Sequence, residues 1–110
     1  FYIILNMKRI GFVGSSKDDL SSFPLKAKRA IDLELWQVQN GFMPSDFKPM
    51  LGVGPGAYEI RVHVLGERRV IYVARKGDVI YVLHAFQKKS VKTSRQDIEL
   101  AARRFKQIGD

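Results

Sequence analysis

Residues 57–89, AYEIRVHVLGERRVIYVARKGDVIYVLHAFQKK, hold three apolar-alternating runs divided by two tight turn signals, a pattern that demands consecutive strands. In the first run Tyr58, Ile60, Val62 and Val64 fall on one face and Ala57, Glu59, Arg61 and His63 on the other. One face is therefore predicted buried and the other wet or functional. Gly66 and Glu67 turn the chain into 69–75, whose core 70–74 is apolar on both faces, as a central strand requires. Lys76, Gly77 and Asp78 form a tight connection into 79–86, so a hairpin follows at once. The three strands are predicted to be sequential and antiparallel.

The flanking segments supply helices. Residues 9–13 read as a short strand ended by Gly14, and the Ser15-Ser16 pair is placed to cap a helical turn over 17–20. A longer helix is expected from near Ser22, with Pro24 in its first turn and Ala27, Ile31, Leu35 and Val38 at helical spacing, until Gly41 stops it. Residues 42–56 carry three prolines and form an irregular connector with a short strand around 47–50. Ser94 and Asp97 make a capping box, after which Ile98, Ala101, Ala102, Phe105 and Ile108 mark the buried stripe of a final helix. The predicted layout is α+β: a small antiparallel sheet of three to four main strands, with two N-terminal helices and one C-terminal helix packed on it.

A chain of 110 residues suffices for one domain with one modest core. Residues 1–6 are read as a remnant or upstream extension and 7–110 as the single domain. Nineteen cationic side chains oppose eleven acidic ones, and residues 57–110 carry most of the excess. That asymmetry favours an acidic partner such as nucleic acid or an acidic protein segment, against the plainer alternative of a solvated basic surface. The absence of cysteine excludes a disulfide framework and a thiolate zinc site and makes an intracellular location the simpler expectation. Asn6, Lys8 and Arg9 interrupt the apolar start long before a membrane span is complete, so no membrane partner is expected. Two histidines and scattered carboxylates give no metal-ligand spacing, and Gly52-Val53-Gly54-Pro55-Gly56 lacks the ending of a phosphate loop; no metal or cofactor is expected.

The residues themselves then point to a family. Phe12-Val13-Gly14-Ser15-Ser16, Ser22-Phe23-Pro24, Val38-Gln39-Asn40-Gly41, Lys48-Pro49-Met50, Gly54-Pro55-Gly56, Glu59-Ile60-Arg61, Arg69-Val70-Ile71-Tyr72, Leu83-His84-Ala85-Phe86-Gln87-Lys88-Lys89 and Ala101-Ala102-Arg103-Arg104 stand in the order seen in phage-derived HigB-like toxins. The resemblance covers about residues 7–108. It implies a RelE-like fold of the RelE/ParE toxin-antitoxin superfamily, a ribosome-dependent mRNA endonuclease in many members, and neutralisation by a cognate helix-turn-helix antitoxin. Its partners would be that antitoxin, the ribosome and mRNA, and its compartment the cytoplasm. The alternative on the same fold is a non-enzymatic ParE-like topoisomerase inhibitor, or an inactive module whose sole partner is its antitoxin.

Metal-free RNA cleavage needs a base near the ribose 2′-hydroxyl, cations on the phosphate, and an acid for the departing 5′-oxygen. Arg61 and Arg69, on neighbouring strands, are candidates for charge stabilisation with forked donors; the competing reading makes Arg61 an ion-pair partner of Glu59 or Glu67. His84 matches a position at which superfamily members carry an ionisable or aromatic active-site residue, which makes it the candidate general acid; a lone histidine in a sheet is otherwise a hydrogen-bonded structural group. Glu59 is either a general base or an orienting partner for arginine. Lys48, Lys88 and Lys89 are candidates for phosphate or ribosomal RNA contacts, with solvated lysine as the alternative, and Phe86 for stacking on a base, with core packing as the alternative. No tyrosine follows Lys89, so the acid-base inventory is His84, His63 and Glu59.

Overall fold

The computed structural model describes residues 7–109; the extension expected over residues 1–6 lies outside the described residues. Eight elements follow in chain order: β1 (Arg9–Phe12), α1 (Ser16–Ser21), α2 (Leu25–Gln39), β2 (Phe47–Pro49), β3 (Ala57–His63), β4 (Glu67–Lys76), β5 (Val79–Lys88) and α3 (Arg95–Ile108). The strands make one five-stranded sheet in the order β1-β5-β4-β3-β2. Strands β3, β4 and β5 form the expected antiparallel meander. The sheet as a whole is mixed, because β1 pairs parallel with β5 from Arg9 opposite Val79 to Phe12 opposite Val82. That is a correction to the antiparallel sheet of three to four strands, and its cause is that α1, α2 and the rest of the sheet intervene between the two strands, a crossover long enough for parallel pairing.

The helices divide between the two faces of the sheet. Ala27, Ile31, Leu35 and Val38 of α2, with Leu20 and Phe23, bury against Ile60, Val62, Val70, Tyr72, Ile80, Val82 and Ala85. On the opposite face Ala101 of α3 packs with Met50, Val53, Ala57, Ile71, Val73 and Leu83, and Ile98, Phe105 and Ile108 flank it. Strand β4 supplies both cores, which explains why its run is apolar on both faces.

Two helix starts differ from expectation. Ser22 closes α1, its N–H bonding to the carbonyls of Asp18 and Asp19, so it cannot open α2; Pro24 is the N-cap and α2 begins at Leu25. Ser15 stands at the N-cap of α1, but its hydroxyl donates to the Asp19 carboxylate at 2.7 Å instead of accepting from the backbone. The α3 cap is as expected: Ser94 Oγ accepts from the Asp97 N–H at 3.1 Å and donates to Oδ2 of the same residue at 2.6 Å. Gly41 ends α2 with φ of +88°.

One turn couples α3 to the first half of the chain. Arg104 donates to the Leu83 carbonyl at 2.9 Å and to Ser15 Oγ at 3.0 Å. It passes so close to Gly14 that a β-carbon there would lie 2.5 Å from Arg104 Nε, and Gly14 itself has φ of +60°. Gly14→Ala should therefore combine left-handed strain with displacement of the arginine and cost about 1–3 kcal/mol, read as a lowered midpoint in urea unfolding with an unchanged slope.

Candidate functional site

The pairing of β2 to β5 lays out a transverse rank of side chains. Lys48 is opposite Glu59, Glu59 opposite Ile71, and Ile71 opposite His84. One step toward the hairpin end, Arg61 is opposite Arg69 and Arg69 opposite Phe86. Directly opposed residues project from the same face, so both ranks share the α3 face.

His84 reaches that face through an irregularity in β5. Ile80 and Val82 bury under α2, and strict alternation would send position 84 after them. The register jumps instead, with Ile71 opposite His84 and Tyr72 opposite Val82, leaving Leu83 as an extra residue. This bulge inverts the phase of the strand, so that His84 joins Leu83 on the α3 face and Ala85 goes to the α2 side. His84 Nε2 then meets Asp97 Oδ1 at 2.7 Å, its ring stacks on Phe86 with centroids 4.5 Å apart, and its buried Nδ1 has no hydrogen-bond partner.

Glu59 lies at the centre with its side chain 1% exposed. Thr93 Oγ1 donates to Oε2 at 2.7 Å, while Oε1 is 3.7 Å from Arg69 Nε and 3.9 Å from Arg61 Nε. The carboxylate thus faces two guanidinium groups at ion-pair distance, without a hydrogen bond to either Nε. Arg69 is 2% exposed and its other nitrogens are engaged, Nη1 with the Arg68 carbonyl at 3.1 Å and Nη2 with Glu67 Oε1 at 2.8 Å. Arg61 is the open member of the pair, one-third exposed and loosely matched to Asp46 at 4.0 Å.

A second polar layer flanks this centre. His63 Nε2 lies 2.9 Å from Asp46, and Nδ1 lies 2.9 Å from both Glu67 oxygens. Hydrogen bonding to Asp46, then to Glu67, raises the His63 pKa above its ordinary 6.5. The Glu67 carboxyl is lowered from 4.5 to about 2 by its bond to His63 and, next, its bond to Arg69.

The predicted site residues separate on this geometry. Glu59, Arg61, Arg69 and His84 come together on one face, with Lys48 on the neighbouring edge strand. Phe86 is half-buried with its ring against His84, and Lys88 sits at the end of β5 opposite Glu67, with Lys89 just beyond and exposed. The polar face of β3 is not uniformly wet: Ala57 and Glu59 are buried under α3 and the 89–94 loop, and only its far end opens to solvent. Sequence reasoning missed Thr93, Asp97 and Asp46 as partners of this cluster. Asp97 was visible only as a helix cap, and no local pattern links Thr93 to a residue 34 positions away. Arg68 was also missed: it is buried on the α2 side, 5.0 Å above the Phe23 ring, and donates to the Leu65 carbonyl at 2.6 Å.

Among the described residues, no group of three histidine or carboxylate side chains could hold a metal ion, and no helix is long and apolar enough to cross a membrane. The family model described as phage derived protein Gp49-like (DUF891) matches residues 18–106. Among solved structures, an arginine-to-alanine double mutant of the E. coli toxin RelE in the free state is similar at a TM-score of 0.65 and 14% identity, over 93% of this chain and 98% of that one. Among curated proteins, none matches the sequence.

Two outcomes are expected from the electrostatics. Glu59→Ala leaves the Thr93 hydroxyl without its acceptor and Arg69 with Glu67 as its remaining carboxylate partner, and should cost about 1–3 kcal/mol in equilibrium unfolding. In an NMR titration Glu67 should titrate near 2 and His63 above 6.5, and Asp46→Asn should bring His63 back toward its ordinary value. By linkage, the lowered Glu67 stabilises the fold fully above pH 4.5 and loses that contribution as pH falls toward 2. The raised His63 contributes fully below pH 6.5 and loses its contribution as pH rises through its folded value, so the bridge is strongest between the two.

Proposed function

Because the chain belongs to the phage-derived Gp49-like family, within the RelE-like toxin superfamily, we propose that it is the toxin of a toxin-antitoxin pair and cleaves mRNA on the ribosome. The observation that carries this reading is the convergence of Glu59, Arg61, Arg69 and His84 on one sheet face whose far end α3 leaves open.

The roles follow from what each side chain is free to do. Arg61, one-third exposed and held only by long ion pairs, swings to the scissile phosphate as charge builds there. Arg69, immobilised by Glu67 and the Arg68 carbonyl, supplies a fixed positive charge behind it. Glu59 orients both arginines and is itself held by Thr93. The ribose 2′-hydroxyl gives its proton to water as its oxygen attacks the adjacent phosphorus, the bond to the 5′-oxygen breaks to leave a 2′,3′-cyclic phosphate, and His84 delivers a proton to the departing 5′-oxygen. Asp97 accepts from Nε2–H in this scheme, leaving Nδ1, which is buried in the free chain and reaches the oxygen only once RNA displaces its cover, as the nitrogen that carries the transferred proton. With one partly exposed arginine and a histidine enclosed by Phe86, the site is suited to act when the ribosome presents the RNA in a fixed geometry. Lys48, Lys88 and Lys89 provide general attraction for the backbone. A helix-turn-helix antitoxin neutralises the toxin, and the cytoplasm is its compartment.

Mapping of RNA 5′ ends after induction without antitoxin should show cuts phased with codons. Arg61→Ala should reduce cleavage about 10²–10³-fold and His84→Gln about 10²–10⁴-fold, with Arg61→Ala keeping the thermal midpoint of the parent. Unchanged RNA with altered DNA supercoiling would instead assign the fold to topoisomerase inhibition.

A further inference from the structure

Beside the charged cluster lies a cavity of about 350 Å³ between the β2 edge and the start of α3, within the range of about 300–1,000 Å³ typical of ligand pockets. Pro49, Met50 and Ile98 give it apolar walls, Lys48 and Lys92 stand at its rim, and Thr93 closes the side toward the sheet. The cluster uses Thr93 only as a donor to Glu59; Lys92 and the walls have no part in it.

We infer that this cavity is a nucleobase subsite, which accepts the base of a nucleotide next to the phosphate that Arg61 contacts. The inference rests on RNA being the substrate and adds where the RNA is gripped. Apolar walls from Pro49, Met50 and Ile98 suit burial of a base's ring by van der Waals contact, while two ammonium groups suit the phosphates on either side. The position is also right. Lys48 is the register partner of Glu59, and Thr93 Oγ1 is 2.7 Å from the Glu59 carboxylate, so the cavity adjoins the carboxylate that both arginines face. The hydroxyl oxygen of Thr93 retains acceptor capacity after donating to Glu59, giving the pocket one polar contact for a base edge. The cavity wall is firm because the Val53 N–H closes a turn onto the Met50 carbonyl at 3.0 Å. Gly52 lies at the tip of that turn, where an added β-carbon would make ordinary contact with Ile98 Cγ2 at 3.5 Å.

The test is an amide chemical-shift titration of the whole chain with adenosine and cytidine 5′-monophosphates, and in parallel with ribose 5-phosphate. Saturable shifts at Gly52, Thr93 and Ile98 with the nucleotides, and none at these positions with the sugar phosphate, are expected. Gly52→Leu, which extends a side chain toward Ile98, should lose them. The exposed Lys92→Glu, which puts no core contact at risk, should weaken them, and both variants should redistribute the mapped cut sites. Equal shifts with ribose 5-phosphate would mean a bare phosphate site and overturn the subsite, as would an absence of nucleotide shifts in the parent protein. Failure of the two readings is distinguishable. Parent cleavage with an unchanged cut pattern in Gly52→Leu removes the subsite alone, whereas base-dependent shifts without any RNA cleavage remove the endonuclease and retain the subsite.

Discussion

Strand β4 is hydrogen-bonded on both sides, and its register with β3 and β5 is the constraint from which the site follows. With Glu59 opposite Ile71 and Arg61 opposite Arg69, a slip of one residue on β4 would send Arg69 and Ile71 to the α2 side and Val70 and Tyr72 to the α3 side. Both cores resist that slip, because Val70 and Tyr72 are buried under α2 while Ile71 and Val73 are buried under α3. Apolar packing on two faces thus fixes where the charged side chains stand, and no interaction among the charges has to do so.

The charges nevertheless must be reconciled with their burial. A carboxylate and a guanidinium removed from water lose several kcal/mol of hydration each, which only close pairing and hydrogen bonds offset. Here the compensation is shared. Glu59 has one hydrogen bond from Thr93 and two guanidinium groups just beyond hydrogen-bond reach, and Arg69 directs its terminal nitrogens to Glu67 and a main-chain carbonyl. The unpartnered Nε atoms of Arg61 and Arg69 and the unpartnered Nδ1 of His84 all lie on this face. Buried polar atoms are usually paired, so such a concentration marks a place where the fold carries unmet hydrogen-bonding capacity. In the proposed reaction Arg61, the open member of the pair, is the group that turns to the RNA phosphate.

Much of the candidate site was legible because β3 alternates without interruption, which put Glu59 and Arg61 on one face from their spacing alone. The meander placed Arg69 beside them, since a short turn leaves little freedom in pairing. His84 was legible as an ionisable group in an apolar strand and by its place in the family resemblance. Its face was not, because a run such as YVLHAF carries no mark of where a bulge will insert the extra residue. Lys48 was found by resemblance, and its nearness to Glu59 depends on a three-residue edge strand with little pattern of its own.

By itself the sequence determined the meander, the apolar stripes of α2 and α3, the cap at Ser94 and the basic character of the second half, all of which depend on local periodicity, turn chemistry or composition. Tertiary structure alone decided that β1 adds in parallel beside β5, that the helices lie on opposite faces, and that Thr93 and Asp97 reach Glu59 and His84. It also decided that Arg69 is enclosed while Arg61 stays open. These features depend on contacts between segments far apart in the chain, where the energy of packing two elements together outweighs the preferences of either one.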